Sequence, residues 1–263
     1  MRFGWVFAGV VLLSACGKSV ENTAETGADT SAVDIASEAD LKPVAATELE
    51  PAESIDLQAL TDYSPEWSLN EYWTGEYPSG FLVYQEGVVA AGREQPVKAL
   101  PVDLECPLEA SANYQVWNRQ RIEADDVVFF SANKTFPVTL SQDATVEYAT
   151  DDGIMALDLK AGEQLTYLSY MSEGFAKFSY NGQQVELNES ELRDISDIGE
   201  HEVVEDQWAR VTCTNGQRVW LLYSEVIETE GVGRSPMIAY GEAHDISPEE
   251  ADVFAEEIGI PIE

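Results

Sequence analysis

Positively charged side chains are scarce in this chain. Its 263 residues include 14 Lys and Arg against 49 Asp and Glu, so the formal net charge is −35 at pH 7. A field of this sign repels nucleic acid and anionic membrane surfaces, which excludes nucleic acid as an expected partner. The same field favours cationic ligands, metal ions or basic partner proteins, and it also keeps a protein soluble in a salty habitat.

Histidine is rarer still, and this limits the catalytic chemistry. Only His201 and His244 are present, both in acidic, loop-like sequence. A nucleophile with a His base would need one of them within reach, and the chain has no Gly-x-Ser-x-Gly elbow, His-Glu-x-x-His helix or phosphate-binding glycine loop. We therefore expect no enzyme activity, no catalytic residue, and no metal or cofactor site. A Cys-dependent cell-wall hydrolase that uses Cys213 is the enzymatic alternative.

Apolar runs long enough to span a membrane are also missing. The run at the N-terminus begins at Phe3 and ends at Leu13, and its 11 residues fall short of the roughly 20 that a spanning helix needs. Arg2 supplies positive charge before the run, and the small residues Ser14 and Ala15 follow it. A charged start, a short apolar stretch and small residues are typical of an export signal.

The four residues from Leu13 to Cys16 resemble the lipobox of bacterial lipoproteins. The resemblance implies that residues 1–15 are removed as a signal peptide and that Cys16 carries a lipid, which anchors the chain in a membrane. Gly17 follows the cysteine, and by the enterobacterial sorting pattern this implies an outer-membrane lipoprotein that faces the periplasm. An ordinary secretory signal cut after Ala15 is the alternative.

Aromatic residues are absent from Gly17 to Glu53, where Ala, Glu, Thr, Ser and Asp dominate. Such a stretch cannot bury enough apolar surface to offset the entropy that is lost on ordering. We therefore expect residues 16–62 to form a disordered acidic tether. A short helix is predicted near its end, between Pro51 and Tyr63.

The chain has three cysteines, and the lipid is expected to occupy Cys16. Past the inner membrane thiols tend to be oxidised, so we predict a disulfide between the two that remain, Cys106 and Cys213. Two separate buried thiols are the alternative. A metal site is disfavoured because neither cysteine has a second Cys or His at ligand spacing.

Short runs of β-branched and aromatic residues recur from Phe81 onward. Examples are residues 81–84, 127–130, 164–168 and 218–222, and each run is bounded by Gly, Asn, Asp or Ser. This pattern favours a mainly β fold. The close spacing of the runs favours small barrels over a parallel sheet.

An internal repeat lies within this region, because residues 175–192 align with residues 208–226 once Thr214 is treated as an insertion. Eight of the 18 aligned positions are identical. Asn181–Gly182 and Asn215–Gly216 stand between strand-like runs, and both residue types tolerate the positive φ of a tight hairpin. Each copy is therefore predicted to form a hairpin, one polar turn and a short final strand.

The repeated unit resembles the second half of a bacterial SH3-like domain. Residues 157–168 resemble the first half of such a domain, and residues 108–117 provide an earlier match. Only 15 residues separate the two copies, too few for a new first half. We therefore expect two small SH3-like β-barrels within residues 63–240, with one unit at about 144–192 inserted in the other. A tandem array is the competing arrangement.

The C-terminal residues 241–263 are predicted to form a helical tail. Ser247 can cap a helix, Pro248 suits its first turn, and the acidic pair Glu249–Glu250 suits the positive end of the helix dipole. Gly259 and Pro261 are expected to end the helix.

The least acidic part of the chain contains a tryptophan close to two arginines. Trp117, Arg119 and Arg121 could receive a carboxylate-bearing peptide or an acidic loop of a partner, although neutralising nearby Glu and Asp is the structural alternative. The expected function is a non-enzymatic protein- or peptide-binding or scaffolding lipoprotein. By analogy with SH3-like modules of bacterial envelopes, binding of peptidoglycan stem peptides is the alternative.

Overall fold

The structure, a computed structural model, describes residues 56–75, 77–150, 153–236 and 243–258. The predicted signal peptide, Cys16 and most of the predicted tether lie outside these residues. The described strands pair in several small antiparallel sheets, and none of these sheets closes into a barrel. The mainly β fold is thus confirmed, whereas the sheets that were expected to close as barrels stay open.

Most of the described strands are short, and turns or short helices connect them. In chain order the strands are β1 (Trp67–Asn70), β2 (Gly80–Val83), β3 (Val89–Gly92), β4 (Leu104–Pro107), β5 (Asn113–Gln115), β6 (Val127–Lys134), β7 (Phe136–Thr139), β8 (Ala144–Thr150), β9 (Gly153–Leu159), β10 (Gln164–Ser172), β11 (Phe175–Tyr180), β12 (Gln183–Asn188), β13 (Glu205–Thr212), β14 (Arg218–Leu222) and β15 (Val232–Arg234). The α-helices are α1 (Leu57–Leu60), α2 (Arg119–Glu123), α3 (Glu189–Arg193), α4 (Tyr223–Val226) and α5 (Pro248–Ile258), and a 3-10 turn covers Ile198–Glu200. None of the helices in the described residues is long and apolar enough to cross a bilayer.

The two largest sheets have four strands each. The first sheet has the order β1-β6-β13-β14, and the second sheet has the order β12-β11-β10-β7. A three-stranded sheet, β15-β2-β5, and two ribbons, β3-β4 and β8-β9, complete the described sheets.

The second sheet is built from a segment that lies between two neighbouring strands of the first sheet. β6 and β13 pair antiparallel over seven residue pairs, although every strand of the second sheet lies between them in the chain. The buried residues of this segment, from Val138 to Ile198, form a hydrophobic cluster of their own. This chain order is the one that the insertion hypothesis requires. The second sheet begins at Phe136, upstream of the expected residue 144.

Both copies of the internal repeat fold as a hairpin followed by a short helix. β11, β12 and α3 form the first copy, and β13, β14 and α4 form the second. The copies also share their register, since Ala176 pairs with Leu187 just as Ala209 pairs with Leu221. All four side chains are buried, so these identical positions are core positions in both copies.

The two hairpin turns differ by one inserted residue. In the first turn both residues of Asn181–Gly182 have positive φ, 50° and 80°, as a two-residue hairpin turn requires. In the second turn the inserted Thr214 donates its N–H to the carbonyl oxygen of Pro107 at 2.9 Å. The insertion therefore ties Cys213 to β4, the strand that carries Cys106.

Cys106 and Cys213 form a disulfide, as the cysteine count predicted. Their Cα atoms are 5.1 Å apart, and the two residues are separated by 107 positions in the chain. Both side chains lie in the hydrophobic cluster of the first sheet and are at most 3% exposed. Because the sulfur of Cys213 is bonded and buried, it offers no thiolate for the alternative in which Cys213 acts as a nucleophile.

The predicted C-terminal helix is present as α5, and its first turn has the predicted cap. The Ser247 hydroxyl accepts a hydrogen bond from the Glu250 N–H at 3.2 Å, and the Glu250 carboxylate accepts one from the Ser247 N–H at 2.9 Å. This reciprocal pair is a capping box. Ile246, just before the cap, is buried in a cluster with Leu82. The expected end of the helix lies outside the described residues.

Removal of the disulfide should lower the stability of the fold strongly. The variant Cys106→Ala/Cys213→Ala should lose about 4–5 kcal/mol of unfolding free energy, because the disulfide closes a loop of about 100 residues in the unfolded chain. Urea denaturation followed by tryptophan fluorescence measures this loss. The wild-type protein denatured with and without reductant is the control, and equal midpoints would contradict the prediction.

Candidate functional site

Arg121, for which the sequence predicted a binding role, is engaged in contacts inside the protein. Its guanidinium donates to the two carboxylate oxygens of Asp245 at 2.8 and 2.6 Å and to Glu109 at 2.8 Å. It also lies 5.0 Å from the centroid of the Tyr114 ring, and its side chain is only 8% exposed. Arg121 therefore neutralises acids within the fold, as in the structural alternative given above, and it exposes little of its side chain to a partner.

The Asp245 carboxylate connects the segment before α5 to the rest of the protein. Besides Arg121, it binds the backbone N–H of Asn113 and the side-chain amide of Asn118, both at 3.0 Å. Burial by itself would raise the pKa of Asp245, but the hydrogen bonds from Arg121 and the two Asn residues lower the pKa below its ordinary value. The ionised carboxylate is thus the form that holds this segment in place.

Trp117 and Arg119 do not form a joint surface with Arg121. Trp117 is half-buried, whereas Arg119 is exposed. Arg119 lines a shallow depression of about 480 Å³ with Gln120, Glu123, Ala243 and His244. Arg119 and Arg121 point to different surroundings because residues two positions apart on a helix do not share a face.

The two arginines of α2 should respond differently to substitution. Arg121→Gln should lower the unfolding free energy by about 2–3 kcal/mol, because it leaves partly buried carboxylates without their donor. Arg119→Gln, a matched change on the exposed side of the helix, should stay within about 0.5 kcal/mol of the wild type. Thermal denaturation at neutral pH measures both. Equal effects of the two variants would overturn this assignment.

A cleft of about 550 Å³ lies where the first and second sheets meet. Both sheets and their adjoining loops contribute to its walls. The lining residues are Thr74, Asn133, Tyr167, Tyr170, Gly174, Glu189, Ser190, Arg193, Val203 and Glu205. Its volume lies within the range of ligand-binding clefts, and polar groups from several separate segments line it.

Thr74 is held at the cleft by its two neighbours in the chain. Trp73 is 2% exposed, and its indole N–H donates to the backbone carbonyl of Trp208 at 2.9 Å. Gly75 donates its N–H to the carbonyl oxygen of Met171, in the second sheet, at 2.9 Å. These two contacts position the Thr74 hydroxyl, which donates to Glu205 at 2.8 Å.

Glu205 is the first residue of β13, and in the described part of the chain its carboxylate has no cationic partner in the cleft. Its hydrogen bonds come from neutral donors, among them the Thr74 hydroxyl at 2.8 Å and the Gln207 side-chain amide at 3.2 Å, and the Ser131 and Asn133 side chains and the Thr74 backbone also contribute. Within the described residues no Lys, Arg or His forms an ion pair with it. Burial raises the pKa of Glu205, and hydrogen bonds such as that from Thr74 offset this only in part. The site therefore favours a ligand that brings positive charge.

A bulge in β10 places two tyrosines on the same side of the second sheet. Side chains alternate between the two faces of a strand, so Tyr167 and Tyr170 would normally point in opposite directions. The register with β11 shifts between Tyr167 and Ser169, however, and the extra residue is Leu168. An extra residue re-aims the side chains that follow it, and both tyrosines line the cleft.

Among the described residues the Tyr167 hydroxyl has no hydrogen-bond partner, although Tyr167 is only 1% exposed. The ring is fixed by Phe136, stacked on it at 4.6 Å between centroids, and by Phe178, edge-on at 5.5 Å. Burial raises the pKa of Tyr167, and the cleft carboxylates Glu189 and Glu205 raise it further. The unmet hydrogen-bonding capacity of this hydroxyl, on a residue that lines the cleft, is an unusual feature for a buried group.

The second acid of the cleft already has a partner. Glu189 accepts a hydrogen bond from Arg193 at 2.5 Å, one turn further along α3. The Glu189 side chain is 14% exposed and that of Arg193 is 57% exposed. Since this pair is neutral as a unit, the net charge of the lining residues comes from Glu205.

Neither a metal-binding group nor a known relative identifies the ligand of this cleft. In the described part of the chain, no group of three or more His, Cys, Asp or Glu side chains is placed to hold a metal ion. No protein-family model, no curated protein and no solved structure matches the chain. The chemistry of the cleft itself is therefore what indicates its ligand.

Tyr63 and Tyr167 should respond differently to loss of their hydroxyl groups. Tyr63→Phe should cost about 1–3 kcal/mol of unfolding free energy, because its hydroxyl donates to Asp206 at 2.8 Å and accepts from Trp208 at 2.9 Å. Tyr167→Phe removes a hydroxyl without a partner, so it should leave stability unchanged or raise it by up to about 1 kcal/mol. Urea denaturation compares them, and a comparable loss in both variants would refute the assignment of Tyr167 as unpartnered.

Proposed function

We propose that this chain is a non-enzymatic lipoprotein of the bacterial cell envelope that captures a protein or peptide partner in the cleft between its first and second sheets. The observation that carries the proposal is the Glu205 carboxylate, half-buried in a cleft and without a cation among the described residues. A buried charge without a counter-charge is unfavourable. A cationic group from a partner would relieve that cost, so the geometry supports binding.

The composition of the chain supports a cationic partner. A protein with a net charge of −35 attracts positively charged segments over long distances. This attraction speeds their encounter with a negatively charged cleft. The attraction alone selects no particular partner. Selection comes from the cleft, where the charge of Glu205 is combined with an apolar contact at Val203, which is 51% exposed.

The envelope location rests on two independent features. Residues 13–16 resemble a lipobox, which implies a lipid on Cys16 and export across the inner membrane. The Cys106–Cys213 disulfide supports an oxidising compartment, because such bonds are rare in the cytosol. We place the protein at the outer membrane, facing the periplasm, with the domain tethered by its acidic N-terminal region.

Peptide titrations test whether the cleft binds its partner through Glu205. Labelled peptides of equal length, one basic, one neutral and one acidic, are titrated into the full chain in mild detergent and followed by fluorescence anisotropy. The basic peptide should bind, and Glu205→Gln should weaken it by about tenfold or more, because the buried counter-charge is lost. Glu228→Gln, an equal change at an exposed glutamate in the turn after α4, is the control and should have no effect.

Two results would overturn the cleft as the binding site. One is the absence of binding to all three peptides, and the other is an equal loss of affinity in the Glu205→Gln and Glu228→Gln variants. Sedimentation with purified sacculi at low and moderate salt examines the alternative. Co-sedimentation that Glu205→Gln abolishes would assign the cleft to peptidoglycan stem peptides instead of a protein partner.

A further inference from the structure

We infer that the Tyr167 hydroxyl is a second contact of the bound partner, and that it donates a hydrogen bond to an uncharged acceptor such as a backbone carbonyl. This inference rests on the proposed capture of a cationic segment at Glu205, and it adds a requirement that charge alone does not supply. It follows from a buried donor that has no use within the described fold, from the way its ring is held, and from the use of neighbouring donors.

The buried hydroxyl of Tyr167 is unfavourable for the fold. Tyr167 is 1% exposed, and among the described residues no group forms a hydrogen bond with its hydroxyl. Burial of a hydroxyl without a hydrogen bond costs free energy, so the large majority of buried polar side-chain atoms have a partner. A phenylalanine would fill the same space without this cost. Because Tyr167 lines a cleft of about 550 Å³, the cost points to a hydrogen bond that forms on binding.

The ring of Tyr167 is held within the second sheet by its two cross-strand neighbours. These are Phe136 on β7 and Phe178 on β11. Phe136 stacks on the ring at 4.6 Å between centroids, and Phe178 meets it edge-on at 5.5 Å. With both sides of the ring flanked, we assign the contact with the cleft to its hydroxyl end. A donor on a ring that is already fixed loses little conformational freedom on binding.

The hydroxyl becomes accessible only when the cleft adjusts. Its oxygen exposes less than 1 Å², so side chains at the cleft must shift before a partner reaches it. Rotamer changes of this kind are common at interfaces, even where the backbone moves little. Arg193 lines the same cleft with a side chain that is 57% exposed, which leaves it free to take up another rotamer.

The neutral donors on the first-sheet wall of the cleft are already in use. The Thr74 hydroxyl donates to Glu205 at 2.8 Å, and the Asn133 side chain also donates to Glu205. An uncharged acceptor that a partner brings into the cleft therefore finds these donors occupied. The Tyr167 O–H is a donor without such a commitment among the described residues.

The state of the hydroxyl suits an acceptor. Burial raises the pKa of Tyr167, so the phenol keeps its proton and can donate it in a hydrogen bond. The positive charge of the partner is taken by the carboxylate of Glu205, which lines the same cleft. A peptide has a carbonyl acceptor at every residue, whereas a simple polyamine has none. The cleft should therefore gain from Tyr167 with a basic peptide and not with a polyamine.

A basic peptide and a polyamine with the same number of ammonium groups test this requirement. The peptide is acetyl-Ala-Lys-Ala-Lys-Ala-Lys-Ala-amide and the polyamine is spermidine, and each is titrated into the full chain in mild detergent by calorimetry. Tyr167→Phe should weaken the peptide by about fivefold or more, because one hydrogen bond is lost. The same variant should leave the affinity for spermidine unchanged, whereas Glu205→Gln should weaken both ligands.

The stability of Tyr167→Phe separates a binding role from a structural one. If the hydroxyl serves the partner, the variant loses affinity for the peptide while its urea midpoint does not fall. A loss of both would mean that the hydroxyl supports the fold. Tyr148→Phe, at a half-buried tyrosine that packs on the core of the second sheet and does not line the cleft, is the matched control and should bind both ligands like the wild type.

The outcomes distinguish this inference from the proposed function. Equal peptide affinities of the wild type and Tyr167→Phe, with a loss in Glu205→Gln, would overturn the contact at Tyr167 and leave cationic capture intact. An equal loss of peptide and spermidine affinity in Tyr167→Phe would overturn the assignment of an uncharged acceptor, because the hydroxyl would then act on the cation. Affinities that Glu205→Gln does not change would overturn both the inference and the proposed site.

Discussion

The antiparallel pairing of β6 with β13 is the interaction on which the rest of this structure depends. Its seven residue pairs join two strands, and every strand of the second sheet lies between these two in the chain. The entropy cost of closing such a long loop grows only slowly with loop length. At one end of the pairing Glu205 lies in the cleft between the sheets. Near the other end, Cys213 is bonded to Cys106. The candidate site thus lies at the start of β13, and the covalent restraint directly follows its last residue.

Positively charged side chains are scarce, and in the folded chain some of them pair with particular acids. Among the few cations, Arg93 donates two hydrogen bonds to Glu225, and Lys98 pairs with Asp206. Each pair joins segments that are far apart in the chain. Most of the other acids in the described residues are exposed to water, where an unpaired charge is inexpensive. Glu205 is different because its charge is half-buried and has no cation among the described residues.

The candidate site could not be read from the sequence because no spacing marks it. Thr74, Tyr167 and Glu205 come from three distant segments, and the bulge at Leu168 changes the face on which Tyr170 lies. Sequence alternation alone would have separated the two tyrosines. The surroundings of Arg121 were also beyond the sequence, which left open both an accessible binding role and neutralisation of acids within the fold. Its main acidic partner stands more than a hundred positions away, beyond the reach of any local pattern.

The sequence by itself determined the features that depend on neighbouring residues and, for the disulfide, on the small number of cysteines. These are the mainly β composition, the two repeated hairpins with their Asn-Gly turns, the Ser247 cap and the pairing of the two remaining cysteines. Turns and caps are set by backbone preferences and hydrogen bonds within a few positions. Only the tertiary structure decided that the sheets stay open, which arginine is buried and where the cleft forms. Those outcomes depend on contacts between distant segments, whose positions are fixed only when the strands have paired and the core has packed.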